Sequence, residues 1–131
     1  MRVVLDCNVL VSAARTDGIC RAALLAAVGR HEVVLSEPII QEYRTVGARP
    51  KHRQYYATAS ALTEMLVRVA VIVEPAATSF GLADPDDEVY LATALSGRAE
   101  ILVTGDRRHF PASSYGLIEV LTPSAFLARH G

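Results

Sequence analysis

The chain has 131 residues, of which 51% are hydrophobic and 21% are charged, and its 13 Lys and Arg residues nearly balance its 14 Asp and Glu residues. A chain of this length fits a single domain, residues 1–131, with a hydrophobic core that needs no disulfide or structural metal. The formal net charge of −1 excludes a strongly basic domain that binds nucleic acid through its overall charge alone.

The two cysteines, Cys7 and Cys20, form no Cys-x-x-Cys pair and have no histidines at zinc spacing. They predict neither a disulfide framework nor a zinc site, so the expected location is reducing and cytoplasmic. The first apolar run turns polar at Asp6, too early for a signal-peptide core, and no apolar run approaches the roughly 20 residues that span a bilayer. We therefore expect no membrane association.

Five short runs rich in β-branched residues predict strands, in chain order at residues 2–5, 33–35, 69–73, 101–103 and 117–121. They lack clean polar alternation, which is typical of parallel strands that are covered on both faces. Helical patterns separate them, at residues 19–28, 36–46, 55–68, 85–96 and 123–128. Alternating strands and helices predict an α/β domain with a mostly parallel sheet. The polar segment 45–55 is expected to be a flexible loop.

Acidic residues stand where the predicted strands end. Asp6 follows the first strand, and Asp106 follows the fourth strand after Thr104 and Gly105. In open α/β sheets, ligands bind beyond the carboxyl ends of the strands, so these two carboxylates converge if the two strands are neighbours. Further acids stand on predicted helices, at Glu42, Asp84, Asp86, Asp87 and Glu88.

Clustered carboxylates raise one another's pKa unless a cation neutralises them. Carboxylate and water oxygens are the ligands that Mg²⁺ and Mn²⁺ prefer. One such ion activates a water molecule, and a second can stabilise the leaving oxygen of a phosphodiester. The pattern therefore favours a site for one or two Mg²⁺ or Mn²⁺ ions and the hydrolysis of phosphodiesters.

Four blocks of sequence stand in a fixed order along the chain. They are Val4-Leu5-Asp6-Cys7-Asn8-Val9-Leu10, Glu42-Tyr43, Asp84-Pro85-Asp86-Asp87-Glu88-Val89-Tyr90-Leu91-Ala92-Thr93-Ala94 and Leu102-Val103-Thr104-Gly105-Asp106. Together they resemble the PIN domains, and within them the VapC-like bacterial toxins of type II toxin–antitoxin systems. One departure is Cys7, where Thr is more usual in the family.

The resemblance implies a three-layer α/β/α fold with a five-stranded parallel sheet in the order 3-2-1-4-5. It also implies a Mg²⁺- or Mn²⁺-dependent endoribonuclease that cleaves single-stranded RNA, an antitoxin protein as partner, and a homodimer. Matched to the family motif residue by residue, the catalytic quartet is Asp6, Glu42, Asp87 and Asp106. Within it, the expected metal ligands are Asp6, Asp87 and Asp106. The expected supporting polar residues are Asn8 and Thr104, and Asp84 is a candidate additional acid.

Basic residues gather on both sides of these acids. Arg44, Arg49, Lys51, His52 and Arg53 follow Glu42, and Arg107, Arg108 and His109 follow Asp106. On the rim of an acidic site they would hold phosphates, and the candidates for RNA binding are Arg49, Lys51, Arg53 and Arg107. The alternative for the first group is a solvated loop. Tyr55 and Tyr56 either stack on single-stranded bases or pack against the protein.

The acids also have ordinary structural interpretations. Asp6 serves equally as a turn residue or helix cap, and Asp84 before Pro85 is a typical N-cap. Asp86, Asp87 and Glu88 suit the first turn of a helix because the helix dipole favours negative charge there. Glu42 could pair with Arg44 or Arg49.

Three other functions compete with a metal-dependent ribonuclease. A phosphate-signalling receiver domain needs an Asp after its third strand and a Lys after its fifth, where this chain has Glu74-Pro75 and Thr122-Pro123. A haloacid-dehalogenase-type phosphatase needs a second Asp where this chain has Asn8, which cannot act as a general acid. The third alternative is a non-catalytic PIN-like module that binds RNA without cleaving it.

Overall fold

The computed structural model describes residues 1–131 as a sequence of alternating strands and helices. In chain order they are β1 (Arg2–Leu5), α1 (Cys7–Arg15), α2 (Ile19–Arg30), β2 (Glu32–Leu35), α3 (Glu37–Gly47), α4 (Tyr56–Val69), β3 (Val71–Ile72), α5 (Pro85–Ser96), β4 (Ile101–Val103), β5 (Ser114–Tyr115), β6 (Ile118–Leu121) and α6 (Pro123–His130). A 3₁₀ helix, Pro50–Tyr55, joins α3 to α4.

The strands form one sheet in the order β3-β2-β1-β4-β6-β5. All neighbouring strands are parallel except β5 and β6, which pair antiparallel at one edge. The five parallel strands confirm the predicted 3-2-1-4-5 order. The sixth, β5, was not predicted because it has only two residues. Leu117, predicted as the start of the last strand, lies instead in the turn between β5 and β6 and is 96% exposed.

Helices cover the sheet on both faces, which confirms the three-layer α/β/α architecture. Helix α5 contacts β1, β2, β4 and β6, whereas α1, α2, α4 and α6 form a second layer through the contacts of α1 with α2 and α4 and of α2 with α6. The central strands are buried throughout: Val3 to Leu5 in β1 and all of β4 have no more than a trace of exposed surface. This explains why they have no polar alternation. No helix is both long and apolar enough to cross a membrane.

Helix α1 was not among the predicted elements. Its β-branched Val9 and Val11 have below-average helix propensity, whereas Leu10, Ala13 and Ala14 are good helix formers, and Val9 and Leu10 are completely buried. The local preference is therefore mixed, and packing of α1 against α2 and α4 supports the helix. The consequence for the site is that Asp6 stands at a strand-to-helix junction.

The prediction of a loop at residues 45–55 is wrong. Helix α3 continues through Gly47, and the segment after it forms the 3₁₀ helix. The ring of His52 is buried and its Nδ1 pairs with the hydroxyl of Tyr55. The polar composition of this segment reflects an ordered, exposed turn of helix at the edge of the site. Likewise, Val69 ends α4 and is not part of the third strand.

Candidate active site

Asp6 lies at the carboxyl end of β1 and is the N-cap of α1. Its Oδ1 accepts a hydrogen bond from the backbone N–H of Cys7 at 2.7 Å, and its Oδ2 accepts from the Thr104 hydroxyl at 2.8 Å and the Asn8 amide at 3.2 Å. Burial raises the pKa of Asp6 above its ordinary value, and the hydrogen bonds from Thr104 and Cys7 oppose that rise. Asp6 is therefore a cap and also a carboxylate held in one orientation by three donors.

Asn8 and Thr104 join the ends of β1 and β4. The side-chain oxygen of Asn8 accepts from the backbone N–H of Gly105 at 2.9 Å, and the fully buried Thr104 hydroxyl accepts from the backbone N–H of Asp106 at 3.1 Å. The same two side chains donate to Asp6. The loop after β4 is thus fixed relative to Asp6 through the two polar residues that the sequence proposed as supports.

Glu42 is held by α5 across the site. The hydroxyl of Tyr90 donates to Glu42 Oε1, and no hydrogen bond is made to Glu42 Oε2. The neighbouring Tyr43 is buried and donates to the carbonyl of Leu5, which fixes α3 against the end of β1. Arg44 pairs with Glu64 at 3.1 Å and not with Glu42. The interpretation of Glu42 as a solvated residue paired with Arg44 or Arg49 is therefore incorrect, because its carboxylate accepts from Tyr90 and forms no ion pair with either arginine.

Asp87 is a nearly buried carboxylate that accepts no hydrogen bond. It is 8% exposed, and the closest nitrogen paired with it is His109 Nδ1 at 3.6 Å. Burial raises the pKa of Asp87 to about 6, and the negative charges of Asp6, Asp84 and Glu42 add to the rise. A bound cation therefore stabilises this carboxylate more than it would stabilise a carboxylate that already accepts hydrogen bonds.

One open cavity of about 500 Å³ brings most of these acids together. Its acidic lining comes from separate parts of the chain: Asp6, Glu42, Asp84, Asp86 and Asp87. Arg49, which precedes the 3₁₀ helix, and Lys51 and His52 within that helix line the same cavity. Asp84 also caps α5 by accepting from the backbone N–H of Asp86 at 2.9 Å. Asp86, which suits the first turn of a helix and is an alternative acid to Asp87, belongs to the lining as well.

Asp106 lies beside this cavity and does not line it. Its two carboxylate oxygens are occupied by Arg108: Oδ1 accepts from the backbone N–H at 2.9 Å and from Nε at 3.0 Å, and Oδ2 accepts from Nη2 at 2.8 Å. This bidentate pair holds the pKa of Asp106 well below its usual range. His109 stands between the two acids, with Nε2 at 3.6 Å from Asp106 and Nδ1 at 3.6 Å from Asp87.

The remaining candidates for RNA binding lie elsewhere. Arg53 and Arg107 are exposed and do not line the cavity. Tyr55 is half-buried and paired with His52, whereas Tyr56 is exposed on α4. From the sequence, His109 was only one member of the basic run after Asp106. In the structure it contacts both Asp87 and Asp106. Its role depends on the approach of α5 to the loop after β4, which no local pattern reveals.

The donor set around the cavity fits a hard divalent cation. The ligands available are carboxylate oxygens, as Mg²⁺ and Mn²⁺ prefer. Asp87 has no hydrogen-bond donor of its own, and Oδ1 of Asp6 accepts only one hydrogen bond. No three Asp, Glu, His or Cys side chains approach one another at the spacing of a metal centre. The acids therefore supply oxygen ligands of the kind that such a cation prefers, at a spacing wider than that of an assembled metal centre.

Comparisons with known proteins identify the family and the fold of the chain. Residues 2–108 match the sequence model of the PIN domain family. No curated protein sequence matches the chain. Among solved structures, the fold is similar to a chain of VapBC2 from Rickettsia felis bound to a DNA fragment from their promoter, with a TM-score of 0.66 and 14% sequence identity over 93% of this chain and 98% of that chain. Because the family match covers most of its length, this chain belongs to the PIN domain family.

Proposed function

We propose that this protein is a Mg²⁺- or Mn²⁺-dependent endoribonuclease that cleaves single-stranded RNA. The observation that carries the proposal is the convergence of Asp6, Glu42 and Asp87, from three elements distant in sequence, on one open cavity with Arg49 and Lys51 on its lining. Carboxylates in such numbers suit a metal-assisted hydrolysis, and the basic side chains suit a phosphodiester substrate. PIN domains are generally metal-dependent nucleases, which supports this assignment at the level of the family.

The side chains of this chain have separable roles in that reaction. Asp6 and Asp87 would hold the cation, and Asp106 would join them on leaving Arg108. A bound Mg²⁺ or Mn²⁺ ion supplies positive charge and lowers the pKa of a water molecule. Thr104 and Asn8 orient Asp6 through their hydrogen bonds to its Oδ2. Glu42 Oε2, which accepts no hydrogen bond, is available to take up a proton from water.

The basic side of the cavity would orient the substrate. Arg49 and Lys51 are exposed at the start of the 3₁₀ helix, and both line the cavity that contains the acids. They would contact phosphates on one side of the bond that is cleaved. Arg53 and Arg107, which lie outside the cavity, would act only on parts of the RNA farther from the cleaved bond. These contacts position a strand but do not read its sequence.

We further propose that the protein is the toxin of a type II toxin–antitoxin pair, works in the cytoplasm and forms a homodimer. The structure of VapBC2 from Rickettsia felis, which the fold resembles, supports an antitoxin partner. Exposed apolar side chains, including Ile19, Leu25 and Leu117, supply surface that a partner would cover. Light scattering after size-exclusion chromatography, alone and with the product of a neighbouring reading frame, tests both assemblies.

The ribonuclease activity is tested with purified protein and a single-stranded RNA containing every dinucleotide. We expect cleavage with Mg²⁺ or Mn²⁺, none with EDTA, and a loss of at least about a hundredfold in rate for Asp6→Asn and for Asp87→Asn. Asp17→Asn is the matched control, because Asp17 is an exposed carboxylate in the turn between α1 and α2, outside the cavity. Cleavage that survives both site substitutions contradicts the proposal. Stable binding without cleavage in either metal favours the non-catalytic module.

The other two alternatives meet specific obstacles in the fold. Receiver domains have the strand order 2-1-3-4-5, whereas here β2 lies between β1 and β3. A phosphatase of the haloacid-dehalogenase type needs an acid at position 8, and Asn8 instead bonds Asp6 and the backbone of Gly105. Neither alternative accounts for the position of Glu42 and Asp87 on the cavity of Asp6.

A further inference from the structure

A second cavity of about 500 Å³ adjoins the acidic one. Asp84, Asp87 and His109 line both cavities, so the two are parts of one cleft that passes over Asp87. The remainder of the second cavity is mainly apolar: Phe80, Leu82, Pro111, Ala112 and Tyr115 line it together with Gly81, Ala83 and Arg108. We name it the aromatic cavity.

Two aromatic rings form a wall of the aromatic cavity. The rings of Phe80 and Tyr115 meet edge to face, with centroids 6.4 Å apart and an interplanar angle of 89°. The backbone N–H groups of Phe80 and Leu82 both donate to Glu88, each at 2.8 Å, and the Tyr115 hydroxyl accepts from the backbone N–H of Ala112 at 3.2 Å. These bonds anchor the loop before α5 and the segment before β5, so the wall is preformed.

Both cavities contain basic side chains beside the acids, as suits a nucleic-acid strand. Arg49 and Lys51 line the acidic cavity, and Arg108 lines the aromatic cavity with 89% of its side chain exposed. A strand that crosses both cavities therefore meets cationic side chains for its phosphates in each. Of the two cavities, only the aromatic one is lined by Phe or Tyr rings, and Asp87 lines it as well.

We propose that the aromatic cavity is a nucleobase subsite, which receives one unpaired base next to the phosphodiester over the acidic cavity. This inference rests on the proposed ribonuclease function. A base has flat apolar faces that stack on aromatic side chains, and only an unpaired base can leave its strand to enter such a cavity. The subsite therefore selects single-stranded RNA and sets a preference at one position beside the cleaved bond.

The experiment scans a single abasic residue along an oligoribonucleotide that the protein cleaves. In the wild-type protein, we expect an abasic residue at one position next to the cleaved bond to slow cleavage about 5-fold to 150-fold, the range that corresponds to roughly 1–3 kcal/mol of stacking. Tyr115→Leu and Phe80→Leu keep an apolar side chain but remove a ring. We expect both variants to cleave intact RNA more slowly than the wild-type protein does. In them, the abasic residue should reduce the cleavage rate little further. A coupling of this kind is the signature of direct contact.

A second measurement needs no catalysis. With EDTA or Ca²⁺ in the buffer, 2-aminopurine at the sensitive position is expected to lose fluorescence on binding to the wild-type protein and to lose much less on binding to Tyr115→Leu. Tyr56→Leu is the matched control, because Tyr56 is a half-exposed tyrosine on α4 outside both cavities, and circular dichroism verifies that each variant is folded.

The outcomes separate the two proposals. An equal abasic effect in wild type and both ring variants, with RNA cleaved normally, overturns the subsite and leaves the ribonuclease intact. A wild-type protein that neither cleaves nor binds RNA overturns the ribonuclease and the subsite with it. A loss of antitoxin binding in Tyr115→Leu with unchanged RNA cleavage reassigns the aromatic cavity to a protein partner.

Discussion

Replacing Thr104 by Val tests how the site keeps a carboxylate charged inside the protein. The two side chains have nearly the same shape, and Thr104 is completely buried, so the substitution removes a hydroxyl without creating a cavity. That hydroxyl donates to Asp6 at 2.8 Å and accepts from the backbone N–H of Asp106 at 3.1 Å. A hydrogen bond to a charged group contributes about 1.5–3 kcal/mol. We expect a loss of about 2–3 kcal/mol in the free energy of unfolding at pH 7, which is roughly 8–12 °C in Tm.

The pH dependence separates the Asp6 contribution from the rest. Because burial raises the pKa of Asp6 in the folded protein, the native state holds a proton there at pH values where the unfolded chain has already lost it. Thr104 stabilises the charged form, so its loss is most costly above the folded pKa of Asp6. The cost of Thr104→Val should therefore decrease as the pH falls from 7 to about 4, as Asp6 becomes protonated.

Urea denaturation in EDTA at several pH values measures this cost. Thr93→Val is the matched control, because the equally buried Thr93 hydroxyl pairs at 2.7 Å with the hydroxyl of Ser36, a neutral partner. Its cost of about 1–3 kcal/mol should not change with pH. A Thr104→Val penalty below about 0.5 kcal/mol, or one that is the same at pH 4 and pH 7, refutes the stabilisation of the Asp6 carboxylate by Thr104.

The other predictions concern the remaining acids and the packing of two glycines. Since burial raises the pKa of Asp87 to about 6, its charge reduces metal-free stability as the pH rises from about 4 through 6. Thermal melts in EDTA should show Asp87→Asn more stable than wild type by up to about 1 kcal/mol at pH 8, and no more stable at pH 4. Arg108→Gln releases Asp106 from an exposed ion pair, so calorimetry should show that Mn²⁺ binds about two- to fivefold more tightly to this variant. An unchanged or weaker Mn²⁺ affinity contradicts a role for Asp106 as a ligand. Gly97→Ala places a Cβ against the side chain of Val34 in β2 and should destabilise the fold by about 1–3 kcal/mol in urea denaturation. Gly29→Ala, with open space around it, should be neutral or stabilising by up to about 1 kcal/mol in the same titration.

Local signals in the sequence located most of the architecture. The β-branched runs at 2–5 and 101–103 coincide with β1 and β4, and Asp84 and Pro85 mark the beginning of α5, with Gly97 at its end. These features are visible in short stretches of sequence. A strand that is buried on both faces is apolar along its whole length, and a helix end carries its capping residues beside it. Helix α1 was not predicted, because its local preference is mixed and contacts with α2 and α4 support the helix.

The chemistry of the site divides in the same way. The sequence determined which carboxylates are available, and it placed Asp6 among them at the end of a central strand. Strand ends and helix caps are local features, and the PIN motif is an ordered set of residue types, so both can be recognised without the fold. Only the tertiary structure decided their state: Glu42 bonded to Tyr90, Asp87 without a donor, and Asp106 paired with Arg108 outside the cavity. The state of Glu42 depends on a partner on another element and that of Asp87 on burial, whereas Asp106 pairs with a residue of its own loop, and these conditions set the free lone pairs of each carboxylate. The near-balance of charge in the composition likewise gives no sign that acids and bases gather around one cleft. That cleft exists only once β1, α3, α5 and the loop after β4 meet.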